Sequence, residues 1–241
     1  MENSLYIGLS RQMVLRNNMS ITANNIANMN TPGFRAQNLM FMEYISDPKN
    51  NQADPMSFVY DRGQYQNTDE GPVEQTNNPF DIALVGPGFF GVDGPGEAPT
   101  YSRAGNLHIG VDGTLMTSGN FPVVDEGGAP INIPADATEI KIDDKGVIST
   151  QNGQIGRIQI VEFENVQELE AFGNNLYTTD AVANPATQTK VKQGYIEGSN
   201  VNSIIEMTRL IEVSRSFQSI QSSMSKENER LLKAIQKLTK V

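Results

Sequence analysis

The chain has no cysteine and no tryptophan, and it has a single histidine. The lack of cysteine excludes disulfides, thiolate metal ligands and cysteine nucleophiles. No stretch approaches the about 20 consecutive apolar residues that a membrane-spanning helix needs, so we expect no membrane insertion. The opening Met1-Glu2-Asn3 lacks the basic and apolar regions of a cleaved secretory signal. If the protein is exported, we expect another route.

The formal net charge of −10 is concentrated in the middle of the chain. Residues 1–46 carry +1, and residues 199–241 carry seven Lys and Arg against four Glu, which leaves −14 for the middle. A chain this acidic repels nucleic acid phosphates and anionic lipid, so we expect no nucleic acid partner. The asymmetry favours solvent around the middle and protein partners at the ends.

A first helix is predicted over residues 3–29, because apolar residues recur there at helical spacing. These residues are Leu5, Leu9, Leu15, Met19, Ala23 and Ile26. Thr31-Pro32-Gly33 ends the helix, since a proline keeps the residue before it out of the helical region. Six asparagines between residues 17 and 30 make the helix weak on its own. We expect it to need a partner to stay ordered.

A second helix is predicted over residues 203–239 from a heptad pattern, with Ser203 to Glu206 as a capping box or Asn202 as the cap. The heptad positions are Met207, Leu210, Ser214, Phe217, Gln221, Met224, Asn228, Leu231, Ile235 and Leu238. The half that begins at Leu210 is apolar throughout, and the other half is polar in its middle. A second apolar strip consists of Ile204, Ile211, Val213 and Ile220. Two strips allow contact with the N-terminal helix and with a neighbouring molecule.

The middle of the chain is predicted to be an inserted, mostly antiparallel β domain at residues 79–198, including a return connector. Its short apolar runs are Asp81–Val85, Phe89–Val92, Leu107–Val111, Leu115–Thr117, Pro122–Val124, Glu139–Ile142 and Ile155–Phe163. Asp112-Gly113 predicts a hairpin turn, and Asp144-Lys145-Gly146 predicts another turn. Residues 36–78 show little periodicity and are predicted to be an extended connector with one or two short strands.

These patterns together predict an α+β fold. Paired N- and C-terminal helices, in residues 1–35 and 199–241, would form a coiled-coil-like bundle around the inserted β domain. The length and strict period of the C-terminal helix favour assembly with other chains over packing against the hydrophobic core of its own chain.

Motifs for chemistry are weak in this chain, and we predict no cofactor, metal or catalytic residue. Gly86 to Gly91 fits GxGxxG, but the glycines and proline that follow exclude the helix that a nucleotide site requires. His108 alone cannot build a histidine zinc site. Asp143-Asp144 lacks the spacing of an EF-hand and is interpreted as a turn.

Two other classes of function stay open from the residues alone. One is an enzyme on a β scaffold, such as a periplasmic carbohydrate-directed enzyme. With 28 acidic residues, the sequence always offers a candidate carboxylate pair and so does not identify one. The other class is an assembly chaperone or cap that uses the same helices without entering the final polymer.

Segments along nearly the whole chain resemble the bacterial flagellar rod and hook proteins. The N-terminal ones are Leu5-Tyr-Ile-Gly-Leu-Ser10, Ala23-Asn-Asn-Ile-Ala-Asn28 and Asn30-Thr-Pro-Gly-Phe-Arg35. The middle ones are Asp81-Ile-Ala-Leu84, Gly88-Phe-Phe-Gly-Val92, Tyr101-Ser-Arg-Ala-Gly-Asn106 and Asp112-Gly-Thr-Leu115. The C-terminal ones are Gly194 to Asn202, Glu206-Met-Thr-Arg-Leu-Ile211 and Arg215-Ser-Phe217. The opening residues and the length resemble a proximal-rod member more than a distal-rod or hook-type member.

The resemblance implies a structural subunit that is not an enzyme. It implies export by the flagellar type III apparatus without a cleaved signal, and helical assembly with copies of itself and other rod proteins in the periplasm. The terminal helices would line the inner wall of the tube, with the β domain outside. The expected assembly residues are Leu5, Leu9, Leu15, Met19, Ile26, Asn200, Val201, Asn202, Met207, Leu210, Phe217, Met224, Leu231 and Leu238. Further expected residues, which fix how the first helix leaves the bundle, are Asn24, Asn25, Asn28, Thr31, Pro32, Gly33 and Phe34.

Overall fold

The computed structural model describes residues 2–46, 56–96 and 98–238, without the side chains of residues 2–4, 46, 56 and 238. The chain divides into two compact units. The helical unit contains residues 1–27, 37–65 and 202–241, and the β unit contains Asn28–Ala36 and Gln66–Val201. Helices and antiparallel strands occur together, so the predicted α+β class is confirmed.

Two long helices, α1 (Glu2–Ala27) and α2 (Ser203–Leu238), begin and end within two residues of their predicted bounds. Of the two predicted caps for α2, the structure contains Asn202. Its Oδ1 accepts hydrogen bonds from the backbone N–H groups of Ile204 (3.1 Å) and Ile205 (3.3 Å). A side-chain oxygen at this position satisfies amides that have no partner inside the helix. No described helix is both long enough and apolar enough to cross a membrane.

Residues 36–78 differ from the predicted connector, because they contain two long strands, β1 (Gln37–Ser46) and β2 (Met56–Gln66). The two pair with each other as a two-stranded sheet. Leu39 of β1 is buried together with Val14 and Ile21 of α1, which places this hairpin in the helical unit. One or two strands were predicted here, but not their length, because both faces of β1 carry apolar residues and the strand has no alternating pattern to detect.

The strands of the β unit are short, and seven of the fifteen described strands coincide with the predicted apolar runs. They are β3 (Val73–Gln75), β4 (Ile82–Val85), β5 (Phe89–Val92), β6 (Thr100–Ser102), β7 (Leu107–Ile109), β8 (Leu115–Thr117), β9 (Ile140–Ile142), β10 (Val147–Thr150), β11 (Gly153–Arg157), β12 (Ile160–Glu162), β13 (Glu170–Gly173), β14 (Leu176–Thr178), β15 (Asn184–Pro185), β16 (Lys190–Gln193) and β17 (Tyr195–Glu197). A short 3-10 helix lies at Val166–Glu168. The strand predicted at Pro122–Val124 is wrong in type, since these residues form only isolated bridges.

The largest sheet has six strands in the order β13-β14-β6-β5-β12-β15, and the pairs are antiparallel. One core cluster is mostly aliphatic and contains Ile82, Leu115 and Ile148 together with Phe90. A second cluster is aromatic, with ring centroids of Tyr101 and Phe163 5.0 Å apart in an edge-to-face arrangement. Both clusters are buried, which gives the β unit a core of its own.

The motifs without predicted chemistry have structural roles. The predicted Asp112-Gly113 hairpin is confirmed, because β7 and β8 pair antiparallel on either side of it. Asp143 Oδ1 accepts from the amides of Lys145 (2.9 Å) and Val147 (2.8 Å), as in a turn. Strand β5 begins at Phe89 inside the Gly86 to Gly91 motif, and a loop rather than the helix of a nucleotide site follows it.

Glu162 ties the loop before β16 to the sheet. Its carboxylate accepts hydrogen bonds from Gln188 N (2.9 Å), Thr189 N (2.8 Å) and Thr189 Oγ1 (2.7 Å). Burial acts to raise the pKa of Glu162, but these hydrogen bonds outweigh it and lower the pKa from 4.5 to about 2. A carboxylate with a lowered pKa in the folded state stabilises the fold above the unfolded-state pKa. That stability is lost as pH falls from 4.5 towards 2.

We therefore expect Glu162→Gln to lower the free energy of unfolding at neutral pH by about 1 kcal/mol, a value reduced for solvent screening. The difference from the parent chain should shrink as pH falls below 4.5. Urea unfolding at a series of pH values measures both. The control is Glu164→Gln, an exposed neighbour that should change stability by less than about 0.5 kcal/mol. A pH-independent loss in Glu162→Gln would contradict this role of the carboxylate.

Candidate assembly interface

The inner face of α1 packs within the helical unit. Val14 and Ile21 are buried against Leu39. A Cβ at Gly8 would lie 3.2 Å from Cγ and Sδ of Met224, so the two helices contact each other closely there. Near the other end, Asn25 of α1 bonds to Glu206 of α2, so the helices run in opposite directions.

A second face of α1 is apolar and exposed to solvent. Tyr6 is 60% exposed, Leu9 47% and Met13 62%. Spacings of three and four residues place these side chains on one side of the helix. We call them the α1 stripe. Three large apolar side chains in a row on an exposed helix face are typical of a surface that another molecule covers.

The buried side of α2 differs in part from the predicted seam. Leu210, Phe217, Met224 and Leu231 are half-buried, as expected of the apolar half. The other half consists of Val213 and Ile220, rather than Met207, Gln221 and Asn228, which are exposed. Burying Val213 and Ile220 removes more apolar surface from water than burying glutamine and asparagine would, so the helix is rotated towards them.

The rotation leaves an apolar face of α2 in solvent. Ile204 is 76% exposed, Met207 46% and Ile211 53%, and their spacing again puts them on one side of the helix. We call these residues the α2 stripe.

The hairpin adds exposed apolar surface to the same unit. The large apolar side chains of β1 and β2 that are exposed are Met40, Phe41, Met42, Tyr44, Ile45, Tyr60 and Tyr65. A two-stranded sheet has two open edges, and an isolated hairpin of this kind is marginally stable in water. Its exposed surface is therefore a third candidate contact region.

Asn25 joins three elements of the helical unit, and its side chain has no exposed surface. Its Nδ2 donates to Gln37 O (2.8 Å) and to Glu206 Oε2 (3.2 Å), and its Oδ1 accepts from Gln37 N (3.0 Å). Arg209 then donates to Glu206 Oε1 (3.1 Å) and Asn38 Oδ1 (2.8 Å). Because one amide side chain satisfies both backbone groups of Gln37, Asn25 fixes where β1 starts relative to both helices.

The turn after α1 belongs to the β unit. Thr31 donates from its N–H to Asn28 O (3.1 Å) and from Oγ1 to Asn28 Oδ1 (3.1 Å). Phe34 N donates to Thr31 O (3.2 Å), and Phe34 is buried. The carbonyl of Pro32 accepts from Asn175 Nδ2 (2.9 Å). These contacts hold the turn on the β unit.

The predicted interface residues fall into three classes of exposure. The exposed ones are Leu9, Asn24, Asn202 and Met207. The half-buried ones are Leu5, Leu15, Met19, Ile26, Asn28, Thr31, Pro32, Asn200, Val201, Leu210, Phe217, Met224 and Leu231. The buried ones are Asn25, Gly33 and Phe34, and the side chain of Leu238 lies outside the described residues.

Sequence reasoning missed a buried charge cluster in the β unit. Arg103, Glu197 and Arg35 are each 3% exposed or less. Arg103 Nε donates to Glu197 Oε2 (2.5 Å), and its two terminal nitrogens donate to the carbonyls of Gly88 and Leu84. Charged side chains are rarely buried unless they are paired, so such a cluster indicates a strong positional constraint.

Arg35 occupies the second cationic position of the cluster. Its Nη1 donates to Thr68 O (2.6 Å), and its Nη2 lies 3.7 Å from Glu197 Oε1. Burial and the neighbouring Arg103 lower the pKa of Arg35, and Glu197 raises it. Arg35, Arg103 and Glu197 each come from a different segment of the resemblance described above. The sequence feature that could have indicated the cluster was therefore a charged residue in each of these three segments.

Three family models match the N-terminal, middle and C-terminal parts of the chain, as the resembling segments do. The model described as "Flagella basal body rod protein" matches residues 5–35. The model "Flagellar hook protein FlgE/F/G D1 domain" matches residues 83–150. The model "Flagellar basal body rod FlgEFG protein C-terminal" matches residues 192–237. The matched segments include both helices and part of the β unit.

Full-length relatives agree with these matches. The chain is 36% identical to flagellar basal-body rod protein FlgF of Caulobacter vibrioides over 245 residues, which covers 100% of both chains. It is 33% identical to FlgF of Rhizobium meliloti, covering 99% of this chain and 98% of that one. It is 30% identical to flagellar basal-body rod protein FlgG of Bacillus subtilis, covering 96% and 97%. The chain therefore belongs to the flagellar basal-body rod protein family.

Proposed function

We propose that this protein is a structural subunit of the flagellar basal-body rod, which it joins through its terminal helices and its hairpin. The antiparallel helices α1 and α2 pair as a coiled-coil-like bundle inside each subunit. The α1 stripe, the α2 stripe and the hairpin contact neighbouring copies and other rod proteins. The relatives are named as rod proteins, which supports a structural role over the carbohydrate-directed enzyme that composition left open.

The observation that carries this proposal is the exposed apolar surface of the helical unit. Because about half of each stripe side chain is exposed, its burial on assembly stabilises the contact by about 1 kcal/mol. The α1 stripe contributes three such residues and the α2 stripe three more. None of them belongs to the buried core of the helical unit formed around Val14 and Ile21. They are therefore available to neighbours without unfolding the subunit.

Stripes on two different helices favour a helical array. When two copies meet through different surfaces, each added copy leaves a free surface for the next one. The array then grows as an open helix unless the rotation between copies closes a ring. Interlocked helices resist twisting, so the resulting tube serves as a drive shaft that transmits torque across the periplasm. We propose that the subunit reaches this place through the flagellar type III apparatus without a cleaved signal.

We expect Leu9→Asp to prevent incorporation into the rod while leaving the monomer folded. Leu9 is half exposed already, so the charge costs the subunit little, but it cannot be buried unpaired in a contact. The measurement is immunoblotting of basal bodies purified from cells that carry the variant as the only copy, together with circular dichroism of the purified chain. Arg11→Asp, at an exposed position of the same helix on the side away from the stripe, is the matched control and should incorporate. Normal incorporation of folded Leu9→Asp would overturn the proposed role of the stripe.

An assembly chaperone or cap could use the same helices, and stoichiometry separates it from a subunit. A subunit stays in the rod in a fixed number of copies, so its amount per basal body should not change as assembly proceeds. Quantitative mass spectrometry of basal bodies with and without attached hooks measures this. Loss of the protein from completed structures would favour the chaperone or cap.

A further inference from the structure

The chain enters and leaves the β unit through three stretches, which we call the root segments: residues 28–36, 66–72 and 194–201. From them the chain continues into α1, the β1–β2 hairpin and α2. Load that these elements pass along the chain reaches the β unit at the root segments. What holds the root segments together therefore decides whether the three connections keep fixed places on the β unit.

Glu197 bonds to the other two root segments. Its backbone carbonyl accepts from Gly33 N (2.8 Å), and its Oε1 accepts from Gly71 N (3.1 Å). Its Oε2 accepts from Arg103, which is anchored on the carbonyls of β4 and of the glycine before β5. Glu197 thus joins the three root segments to the sheet through its carboxylate and its backbone carbonyl.

Asn200 makes a second connection among the same segments. Its Oδ1 accepts from Ala36 N (2.7 Å), and its Nδ2 donates to Asn67 O (3.2 Å) and Asp69 O (2.8 Å). Asn67 N in turn donates to Ala36 O (2.8 Å). All three hydrogen-bond partners of the Asn200 side chain are backbone groups of the root segments, so another side chain cannot replace it without loss.

We propose that Glu197 and Asn200 form a clamp that holds the three root segments as one body, so that twisting load passes from the terminal elements into the β unit. This rests on the proposed rod function. Asn200 is then a positioning residue within each subunit rather than a residue at the contact between subunits. The clamp gives the β unit a rigid base without contributing to the contacts that recruit the subunit.

The test uses Asn200 variants of the full-length chain. Asn200→Ala should speed hydrogen–deuterium exchange by about tenfold in peptides that cover 34–36 and 67–69, since one or two hydrogen bonds are lost at each. Asn200→Asp retains the acceptor for Ala36 N but sets a carboxylate against the carbonyls of Asn67 and Asp69. Its exchange should therefore rise at 67–69 and stay near the parent rate at 34–36. General destabilisation would raise the exchange rate in both segments and would not produce this difference between them.

In cells, Asn200→Ala should enter basal bodies at the parent level but should lose swimming speed disproportionately when medium viscosity is raised. The control is Asn152→Ala, an exposed amide in the same unit that donates to Asp136 Oδ2 (2.8 Å) away from the roots. It should match the parent in exchange and in viscous medium. Unchanged exchange at both segments in Asn200→Ala, or a parent-like response to viscosity, would overturn the clamp. Absence of the parent protein from basal bodies would instead refute the rod function, and the exchange data would still decide whether the clamp exists.

Discussion

Replacing Asn25 with alanine is expected to lower the free energy of unfolding of the helical unit by about 3 kcal/mol. The change removes hydrogen bonds to both backbone groups of Gln37 and to Glu206, and it leaves Glu206 buried and the Gln37 groups partly buried without these partners. An unsatisfied buried polar group costs about 1–3 kcal/mol, more when it is charged. Urea unfolding of the full-length chain, followed by far-ultraviolet circular dichroism, reports the loss because α1 and α2 dominate that signal.

The matched control for this substitution is Asn17→Ala on the same helix. Asn17 makes an exposed hydrogen bond from Nδ2 to Asp61 Oδ2 (3.0 Å). Its loss should cost less than about 1 kcal/mol, because water replaces the partner. Equal effects of the two substitutions would mean that the buried network around Asn25 does not hold the helices and the hairpin together.

Gly33→Ala is the second substitution with a large expected effect, and it acts on the β unit. Gly33 has φ of +69°, and a Cβ there would lie 2.5 Å from the carbonyl carbon of Arg103. The left-handed conformation costs alanine about 1–2 kcal/mol, and the clash with fixed backbone adds about 1–3 kcal/mol. We expect a total loss of about 3 kcal/mol in thermal unfolding of the β unit, together with weaker anchoring of the turn after α1.

Gly128→Ala separates the two contributions at Gly33. Gly128 also has a positive φ, of +82°, but a Cβ there would meet no atom within 4 Å. It should therefore show only the conformational cost of about 1 kcal/mol. If both glycine substitutions lower stability equally, close approach of Gly33 to Arg103 is not what requires glycine at the turn.

The sequence predicts the parts of this fold that repeat locally. Helical spacing located α1 and α2, and apolar runs between turn residues located seven of the fifteen described strands of the β unit. The length and pairing of the hairpin strands were not predicted, because Met40, Phe41 and Met42 are consecutive and apolar, which matches neither a helical nor an alternating strand pattern. Its strands are recognisable only from the contact of Leu39 with α1.

The buried cluster could not be predicted, because it depends on long-range geometry. Arg35, Arg103 and Glu197 are far apart in sequence, and a charged residue met singly is interpreted as solvated. Only the apolar half of the α2 seam was predicted, because the other half also depends on packing between segments far apart in sequence. Leu210 and Phe217 fit two overlapping stripes, and only packing shows that Val213 completes the buried one.

The central claim is that the exposed stripes of the helical unit are covered by neighbouring subunits in the assembled rod. Cryo-electron microscopy of purified basal bodies, at a resolution that traces both ends of this chain, tests it most directly. We predict that Leu9 of the α1 stripe and Met207 of the α2 stripe are buried against other chains. Side chains of both stripes that face solvent in the finished rod, or that contact only their own subunit, would contradict the account.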